Sequence, residues 1–176
     1  MTINPPYKTP KRRHYGYEST RQAILDAARA IMREEGVAAL SLHEVARRIG
    51  MKTPSLYTYF DNKNALYDAL FALGMKMYRE YTNAYLAHTT TIQVELEMTL
   101  TAYMRFADEN PDLYPLLFER PVPGFVPSPD AMADISELVK ESKARVQRAI
   151  DAGDFETDLS AAQTQDLFLA LMHGLT

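Results

Sequence analysis

Residues 41–60 read SLHEVARRIGMKTPSLYTYF and contain two short helical segments separated by a glycine. Ser41 and Glu44 have the Ser-x-x-Glu spacing of a capping box, which predicts that a helix begins there. Gly50 ends this helix, and Thr53 is positioned to cap a second one. Helices joined by so short a turn are typical of a helix–turn–helix unit, whose second helix projects toward a DNA major groove. The same pattern also occurs in purely structural helical bundles, so both interpretations stay open at this point.

The second helix of this unit carries groups that suit nucleic-acid binding. Its hydroxyl-bearing side chains donate and accept hydrogen bonds, so they can meet base edges or phosphates. A helix N-terminus offers free N–H groups and a positive partial charge to a phosphate. Lys63, one turn further on, adds a positive charge.

The rest of the chain also predicts helices, and the fold class is therefore all-α. Ser19 with Gln22 and Ser160 with Gln163 have capping-box spacing, and no stretch shows a strand pattern of useful length. Proline-rich segments at 5–10 and 121–129 indicate an arm and a loop. The predicted helices outside the central unit cover about 19–35, 62–87, 92–109, 111–119, 129–152 and 160–176.

Composition excludes several classes of protein. The chain has 176 residues and no cysteine, which rules out disulfides and thiolate metal sites. The four histidines are too far apart for a metal motif, and we expect no metal and no cofactor. No apolar run approaches the roughly 18 residues of a membrane span, and the N-terminus lacks the apolar core of a signal peptide. We expect a cytoplasmic protein without a membrane partner.

Charge is divided unequally along the chain. The net charge is −4, yet residues 1–80 carry 13 Lys+Arg against 8 Asp+Glu, while residues 81–176 carry 6 against 15. This asymmetry indicates that the chain has two functions. The basic half is suited to binding a polyanion. Within it, the basic arm at residues 1–18 is predicted to follow DNA or, alternatively, to be a solvated tail.

The segment Leu42–Leu66 resembles the DNA-binding domain of TetR-family transcriptional regulators. The sharpest match is the run Leu-Tyr-Thr-Tyr-Phe-Asp-Asn-Lys at residues 56–63. Ile24-Leu-Asp-Ala-Ala28 and Glu35-Gly36 resemble the first helix of that domain and its end. The resemblance covers about residues 19–70 and is weaker beyond them.

This resemblance implies a role for particular side chains in DNA binding. Thr53, Pro54 and Ser55 would lie against base edges, while Tyr57 and Tyr59 would reach the sugar-phosphate backbone. Leu56 and Phe60 would hold the reading helix against the core. The DNA-binding candidates are Ser41, Thr53, Pro54, Ser55, Tyr57, Tyr59 and Lys63.

The resemblance also implies a division of the chain into domains. Residues 19–64 would form the helix–turn–helix domain, and residues 65–176 a helical domain that binds a ligand and dimerises. Family members usually continue past the eighth helix into a ninth, whereas this sequence stops at Thr176 within the eighth. Either the last helix is incomplete or the dimer surface is reduced. The apolar eighth helix predicts a homodimer in both cases.

Aromatic and methionine side chains in the second half predict a ligand pocket, although simple core filling is the alternative. Few charges interrupt this set, so the effector would be small, largely hydrophobic and uncharged or weakly polar. The pocket candidates are Met75, Tyr78, Met98, Tyr103, Phe106, Tyr114, Phe118, Phe125 and His173.

Together these observations predict a DNA-binding transcriptional regulator rather than an enzyme. The most specific expectation is a ligand-responsive repressor that binds a palindromic double-stranded DNA operator as a homodimer, in the cytoplasm and on the bacterial nucleoid. The alternative is a helical enzyme or small-molecule carrier in which the first three helices are only structural. That alternative would require a convergent polar cluster in the second half, which the sequence does not suggest.

Overall fold

A computed structural model describes residues 16–154 and 156–174. Within these ranges all regular secondary structure is helical. Most of the predicted basic arm, residues 1–15, lies outside the described residues. The helices are α1 Tyr17–Glu35, α2 Leu42–Arg48, α3 Thr53–Leu56, α4 Lys63–Leu86, α5 Ile92–Glu109, α6 Leu113–Phe118, α7 Ala133–Ala152 and α8 Ala161–His173, with a 3-10 turn at Val37–Ala39 after α1.

The first three helices enclose a small core of their own. Ile24 and Ile31 of α1 are fully buried, as is Val45 of α2. Leu56, at the end of α3, and Phe60 just beyond it are also buried, which confirms that these two residues belong to the core. This apolar contact, rather than the length of the four-residue helix α3, fixes the direction of α3, because so short a helix has little stability alone.

Two of the predicted capping boxes do not form. α1 begins at Tyr17, and the Ser19 hydroxyl donates to the Gly16 carbonyl at 2.9 Å instead of capping the helix. Ser41 does precede α2, but its side chain makes no capping hydrogen bond. The Glu44 carboxylate, which would complete this second box, instead binds Arg47. The ion pair with Arg47 thus occupies the Glu44 carboxylate that the capping box requires.

The third predicted cap is also wrong, and α3 is shorter than expected. Lys52 precedes the helix, so Thr53 is its first residue and Pro54 its second. The helix ends at Leu56, whereas the sequence pattern predicted it to reach Phe60. The chain still turns in the helical sense, since the Phe60 N–H donates to the Leu56 carbonyl at 3.1 Å.

Later helix ends follow the sequence more closely. The Asn62 side chain accepts from the Ala65 N–H and starts α4, and Ser160 forms its predicted capping box with Gln163 at the start of α8. α7 begins at Ala133 rather than near residue 129, because the preceding segment is held elsewhere. Both the N–H and the hydroxyl of Ser128 donate to the Asp68 carboxylate at 2.7 Å.

The long helix α4 is the shared element of the molecule. It packs against α5, α6 and α7, while α8 packs on α7. At its middle, Gly74 allows the closest approach of α6, because a Cβ atom there would lie 3.0 Å from a methyl carbon of Leu117. The Tyr67 hydroxyl donates to the Val37 carbonyl at 2.8 Å and so ties α4 to the N-terminal helices. In the described ranges, no helix has both the length and the apolarity that membrane crossing requires.

Candidate nucleic-acid interface and effector cavity

The outer face of α3 presents polar and aromatic groups. Pro54 and Ser55 are exposed, and Tyr57 is 50% exposed just after the last turn of the helix. Thr53 is half-buried, with its hydroxyl 3.3 Å from the Nδ1 of His43. Since Leu56 is fully buried on the opposite side, the predicted base-reading groups share one accessible face.

The other predicted DNA contacts surround this face. The half-buried Tyr59 ring stacks on the Tyr17 ring, with centroids 4.8 Å apart. Lys63 is also half-buried: its ammonium lies 3.5 Å from the Ala38 carbonyl oxygen and 5.3 Å from the centroid of the Tyr67 ring. Stacking orients the Tyr59 ring, and cation–π contact orients the Lys63 ammonium.

The two arginines of α2 are already neutralised. Arg47 binds both carboxylate oxygens of Glu44 at 2.7 Å, and Arg48 reaches Glu44 at 3.0 Å and Glu34 at 2.7 Å. Hydrogen bonds from Arg47 and then Arg48 lower the pKa of Glu44 to about 2. Glu44 therefore stays ionised at neutral pH, and neither arginine is a free phosphate ligand.

Sequence reasoning missed two residues beside the reading face. Lys52 immediately precedes α3 and is exposed, and no ion pair to it occurs among the described residues. Thr58 is exposed between the two predicted tyrosines. Their position next to the predicted residues is the sequence feature that could have identified them. Most of the positive excess in the basic half comes from Lys8, Lys11, Arg12 and Arg13, which lie outside the described residues.

A first cavity of about 160 Å³ lies between α4, α5, α7 and α8. A second cavity of about 450 Å³ lies under the segment that joins α6 to α7. Of the predicted pocket residues, Tyr78 and Tyr103 line the first cavity and Phe125 the second, while Phe118 and His173 line both.

The remaining predicted pocket residues line neither of these cavities. Met75 and Phe106 are almost fully buried and fill the core, while Met98 is half-buried on α5. Tyr114 lies behind the wall, with its hydroxyl 2.7 Å from that of Tyr103. Core filling and pocket lining use the same residue types, so composition alone did not separate them.

Phenol and imidazole groups form a hydrogen-bonded chain at the wall between the cavities. The Tyr103 hydroxyl lies 2.8 Å from the Nδ1 of His173 and 2.7 Å from the Tyr114 hydroxyl. Burial raises the pKa of Tyr78, which packs edge-on against Tyr103, to about 12. Tyr78 is thus a neutral phenol throughout the physiological pH range.

The first cavity also has polar walls that sequence reasoning missed. Glu95 and Arg145 form an ion pair in its lining, with Oε2 and Nε 3.4 Å apart. Ser142 and Gln165 also line this cavity. Glu95 is half-buried here, whereas Glu97, two residues further along α5, is exposed. These groups come from three helices, so no local motif could reveal their meeting.

One buried carboxylate connects the two parts of the molecule. Asp112, at the start of α6, is fully buried and accepts hydrogen bonds from Arg29 at 2.6 Å and Arg33 at 2.7 Å, both on α1. Burial by itself would raise the pKa of Asp112, but the hydrogen bonds from the two arginines outweigh it and hold that pKa below its ordinary value. A displacement of α6 at the cavity wall would therefore be transmitted to α1 through these hydrogen bonds.

Comparison with known proteins identifies a family for the N-terminal part of the chain. Residues 24–70 match the profile of bacterial regulatory proteins of the tetR family. The class D tetracycline repressor protein of Escherichia coli is 32% identical over 62 residues, which are 35% of this chain and 28% of that protein. The matched segment is thus less than a third of that repressor.

Likeness to other proteins extends over the second domain as well. The uncharacterized HTH-type transcriptional regulator YdgC of Bacillus subtilis is 24% identical over 168 residues, covering 92% of this chain and 80% of that protein. A solved structure of a protein of unknown function from Rhodococcus sp. RHA1 has the same fold, with a TM-score of 0.78 at 23% identity, covering 93% of this chain and 83% of that one. Over residues 24–70 the chain therefore resembles the TetR family of bacterial regulatory proteins.

Proposed function

We propose that the protein is a ligand-responsive transcriptional repressor that binds a palindromic operator as a homodimer in the bacterial nucleoid. The observation that carries this proposal is the outer face of α3, where Pro54, Ser55 and Tyr57 are accessible while Leu56 anchors the helix. The match of residues 24–70 to the TetR family favours this function over the alternative of an enzyme or carrier, because members of that family are DNA-binding regulators.

Within the proposed complex, α3 enters the major groove. Thr53, Pro54 and Ser55 meet base edges, and the tyrosines Tyr57 and Tyr59 meet the backbone. Lys63 and the N-terminus of α2 at Ser41 contribute phosphate contacts, which position the domain without specifying sequence. In a homodimer the two copies of α3 occupy successive major grooves, about 34–36 Å apart.

The second domain supplies the proposed dimer contact. Leu167 and Leu171 of α8 lie one turn apart and are 53% and 59% exposed. Two large apolar side chains on one turn-related face are costly to leave in water. A two-fold interface would bury this face against the same face of a second copy.

The cavities supply the proposed switch. A ligand between α4, α5, α7 and α8 would favour a different position of these helices, and Asp112 would pass part of that change to α1. For release from DNA, the ligand must bind the non-DNA geometry more tightly, by the usual coupling of roughly 1–3 kcal/mol.

A gel-shift experiment with fragments of the source genome tests the DNA-binding part. We expect a few fragments to be retained in excess competitor DNA, and footprinting to reveal an inverted repeat in them. Tyr57→Ala should abolish retention, whereas Glu97→Ala, an exposed change on α5, should not. Equal retention of all fragments by the wild-type protein would contradict the proposal.

A further inference from the structure

The first cavity has one polar end, which three helices build together. Glu95 of α5 and Arg145 of α7 form an ion pair in which both side chains are about three-quarters buried, with exposures of 26% and 23%. Ser142 of α7 and Gln165 of α8 complete this end. The four residues are named here the polar end.

The polar end has unused hydrogen-bonding capacity. Gln165 is only 6% exposed, and its Nε2 donates to the Val139 carbonyl at 3.1 Å. No hydrogen bond to its amide oxygen, or to the Ser142 hydroxyl, occurs within the described parts of the chain. Arg145 meets Glu95 through Nε, so its two terminal nitrogens are available as donors. The Gln165 amide oxygen and the Ser142 hydroxyl belong to residues that line the cavity, so both are available to hydrogen-bond a ligand.

Apart from two threonines, two tyrosines and His173, the remainder of the cavity lining is apolar. Its α7 wall extends from Arg145 to Ile135, ten residues that span about 15 Å of helix. At the far end, Ile135, Phe118 and His173 also line the second cavity. An extended apolar chain that starts at the polar end can therefore run along α7 within the first cavity, as far as the wall that separates it from the second.

The charges at the polar end discriminate between head groups. Glu95 and Arg145 cancel each other, so the polar end carries no net charge when both are ionised. A carboxylate head would place a second anion beside Glu95, and an ammonium head a second cation beside Arg145. Each charged head would also lose its hydration in a mostly apolar cavity, which is unfavourable unless the charge is paired.

We propose that this cavity binds an amphiphile whose head is neutral and both donates and accepts hydrogen bonds, such as a primary carboxamide, on an extended apolar chain. The head carbonyl accepts from Arg145, and the head N–H groups donate to Gln165 and Glu95. The chain runs along α7 toward Phe118. That this ligand is the effector rests on the proposed function, whereas its binding preference follows from the polar end alone.

Calorimetry with decanamide, decanoate and decylamine, which share a ten-carbon skeleton, tests the preference on the full chain at pH 7. We expect the wild-type protein to bind decanamide at least tenfold more tightly than either charged compound. Glu95→Gln leaves Arg145 unpaired and should improve decanoate binding at least tenfold. Arg145→Gln leaves Glu95 unpaired and should improve decylamine binding by a similar factor. Glu97→Gln, an exposed change on the same helix, should leave all three affinities unchanged.

Several results would overturn the inference. These are equal or tighter binding of either charged compound by the wild-type protein, no binding of any of the three, or an order that both variants leave unchanged. If a variant does not fold, the wild-type order decides alone. A gel shift with bound decanamide separates the two proposals: if decanamide binds with the expected preference and the operator is still held, the effector role fails and the head-group assignment stands.

Discussion

Ser55 and Tyr57 flank Leu56 in sequence, yet they face the opposite way. Leu56 is fully buried, whereas Ser55 is exposed and Tyr57 is half exposed. Adjacent residues thus combine a structural role at Leu56 with the proposed DNA-binding role of its neighbours. Mutations at adjacent positions are therefore expected to have different consequences: loss of stability at Leu56, and altered DNA recognition at its neighbours.

Ser55→Ala should change base preference rather than folding. The hydroxyl is exposed, so its removal leaves the core intact and the melting temperature unchanged. If the hydroxyl contacts a base edge, operator binding should weaken by about 1–3 kcal/mol, and discrimination at one base position should relax. Binding measured on the operator and on single-base variants checks this expectation. Equal weakening on every sequence would contradict base reading by Ser55.

Lys63→Ala and Lys52→Ala should weaken binding to all DNA sequences alike. Each lysine that contacts a phosphate releases about one counterion, so each variant should reduce the slope of log K against log salt by about one. Fluorescence anisotropy at several salt concentrations measures that slope. Lys140→Ala on α7, distant from α3 in the chain, is the matched control and should leave it unchanged. An unaltered slope would remove the substituted lysine from the interface.

Asp112→Asn should destabilise the protein in a pH-dependent manner. Two arginines depend on this buried carboxylate, and its loss is expected to lower the free energy of unfolding by about 1–3 kcal/mol near pH 7. Because the pKa of Asp112 is held below its ordinary value, the stabilisation is complete above the unfolded pKa of about 3.9 and is lost as pH falls through the folded pKa.

Urea titrations of the wild-type protein and of Asp112→Asn, from pH 7 down to pH 3, measure this difference. The two proteins should converge in stability only at the acidic end. Asp108→Asn, an exposed change on α5, should match the wild-type protein throughout. A difference between wild-type and Asp112→Asn that did not vary with pH would show that packing, not charge, is responsible.

The contact between helices α4 and α6 depends on the absence of a side chain at Gly74. Gly74→Ala would gain about 1 kcal/mol of helix propensity but would crowd Leu117, and overpacking typically costs about 1–3 kcal/mol. We expect a net loss of stability in the wild-type background. In a Leu117→Val background the crowding is relieved, and the same substitution should be stabilising. Urea unfolding of the four proteins measures the coupling, and strictly additive effects would contradict a close contact.

The sequence predicts which helices exist more reliably than where each helix begins and ends. Hydrophobic periodicity and prolines predicted eight helices, and α5 has the predicted bounds Ile92–Glu109. The Ser19 box failed because the Ser19 hydroxyl binds the Gly16 carbonyl, and the Ser41 box because Glu44 binds Arg47. Thr53 does not cap α3 because it is already the first residue of that helix. The polar end escaped prediction because Glu95, Ser142, Arg145 and Gln165 are brought together only by the packing of three helices.

In the molecule as a whole, α8 presents apolar side chains both to the cavity and to the exterior. Met172 is buried in the core and Phe168 lines the first cavity, while Leu167 and Leu171 point outward. One helix thus serves two surfaces, the ligand cavity and the proposed dimer contact. A ligand that moved α8 would therefore also change the distance between the two reading helices of a dimer.

The double variant Leu167→Glu and Leu171→Glu should be a folded monomer. Both side chains are more than half exposed, so glutamate is tolerated within one chain, but four like charges would meet at a two-fold contact. Light scattering should give the mass of a dimer for the wild-type protein at micromolar concentration and about half that mass for the variant. Val126→Glu is the matched control, because Val126 is 81% exposed in the segment between α6 and α7.

Operator binding should fall with dimerisation, since a single α3 reads only one half-site. A dimeric double variant would place the contact elsewhere, and a monomeric wild-type protein would contradict the homodimer itself.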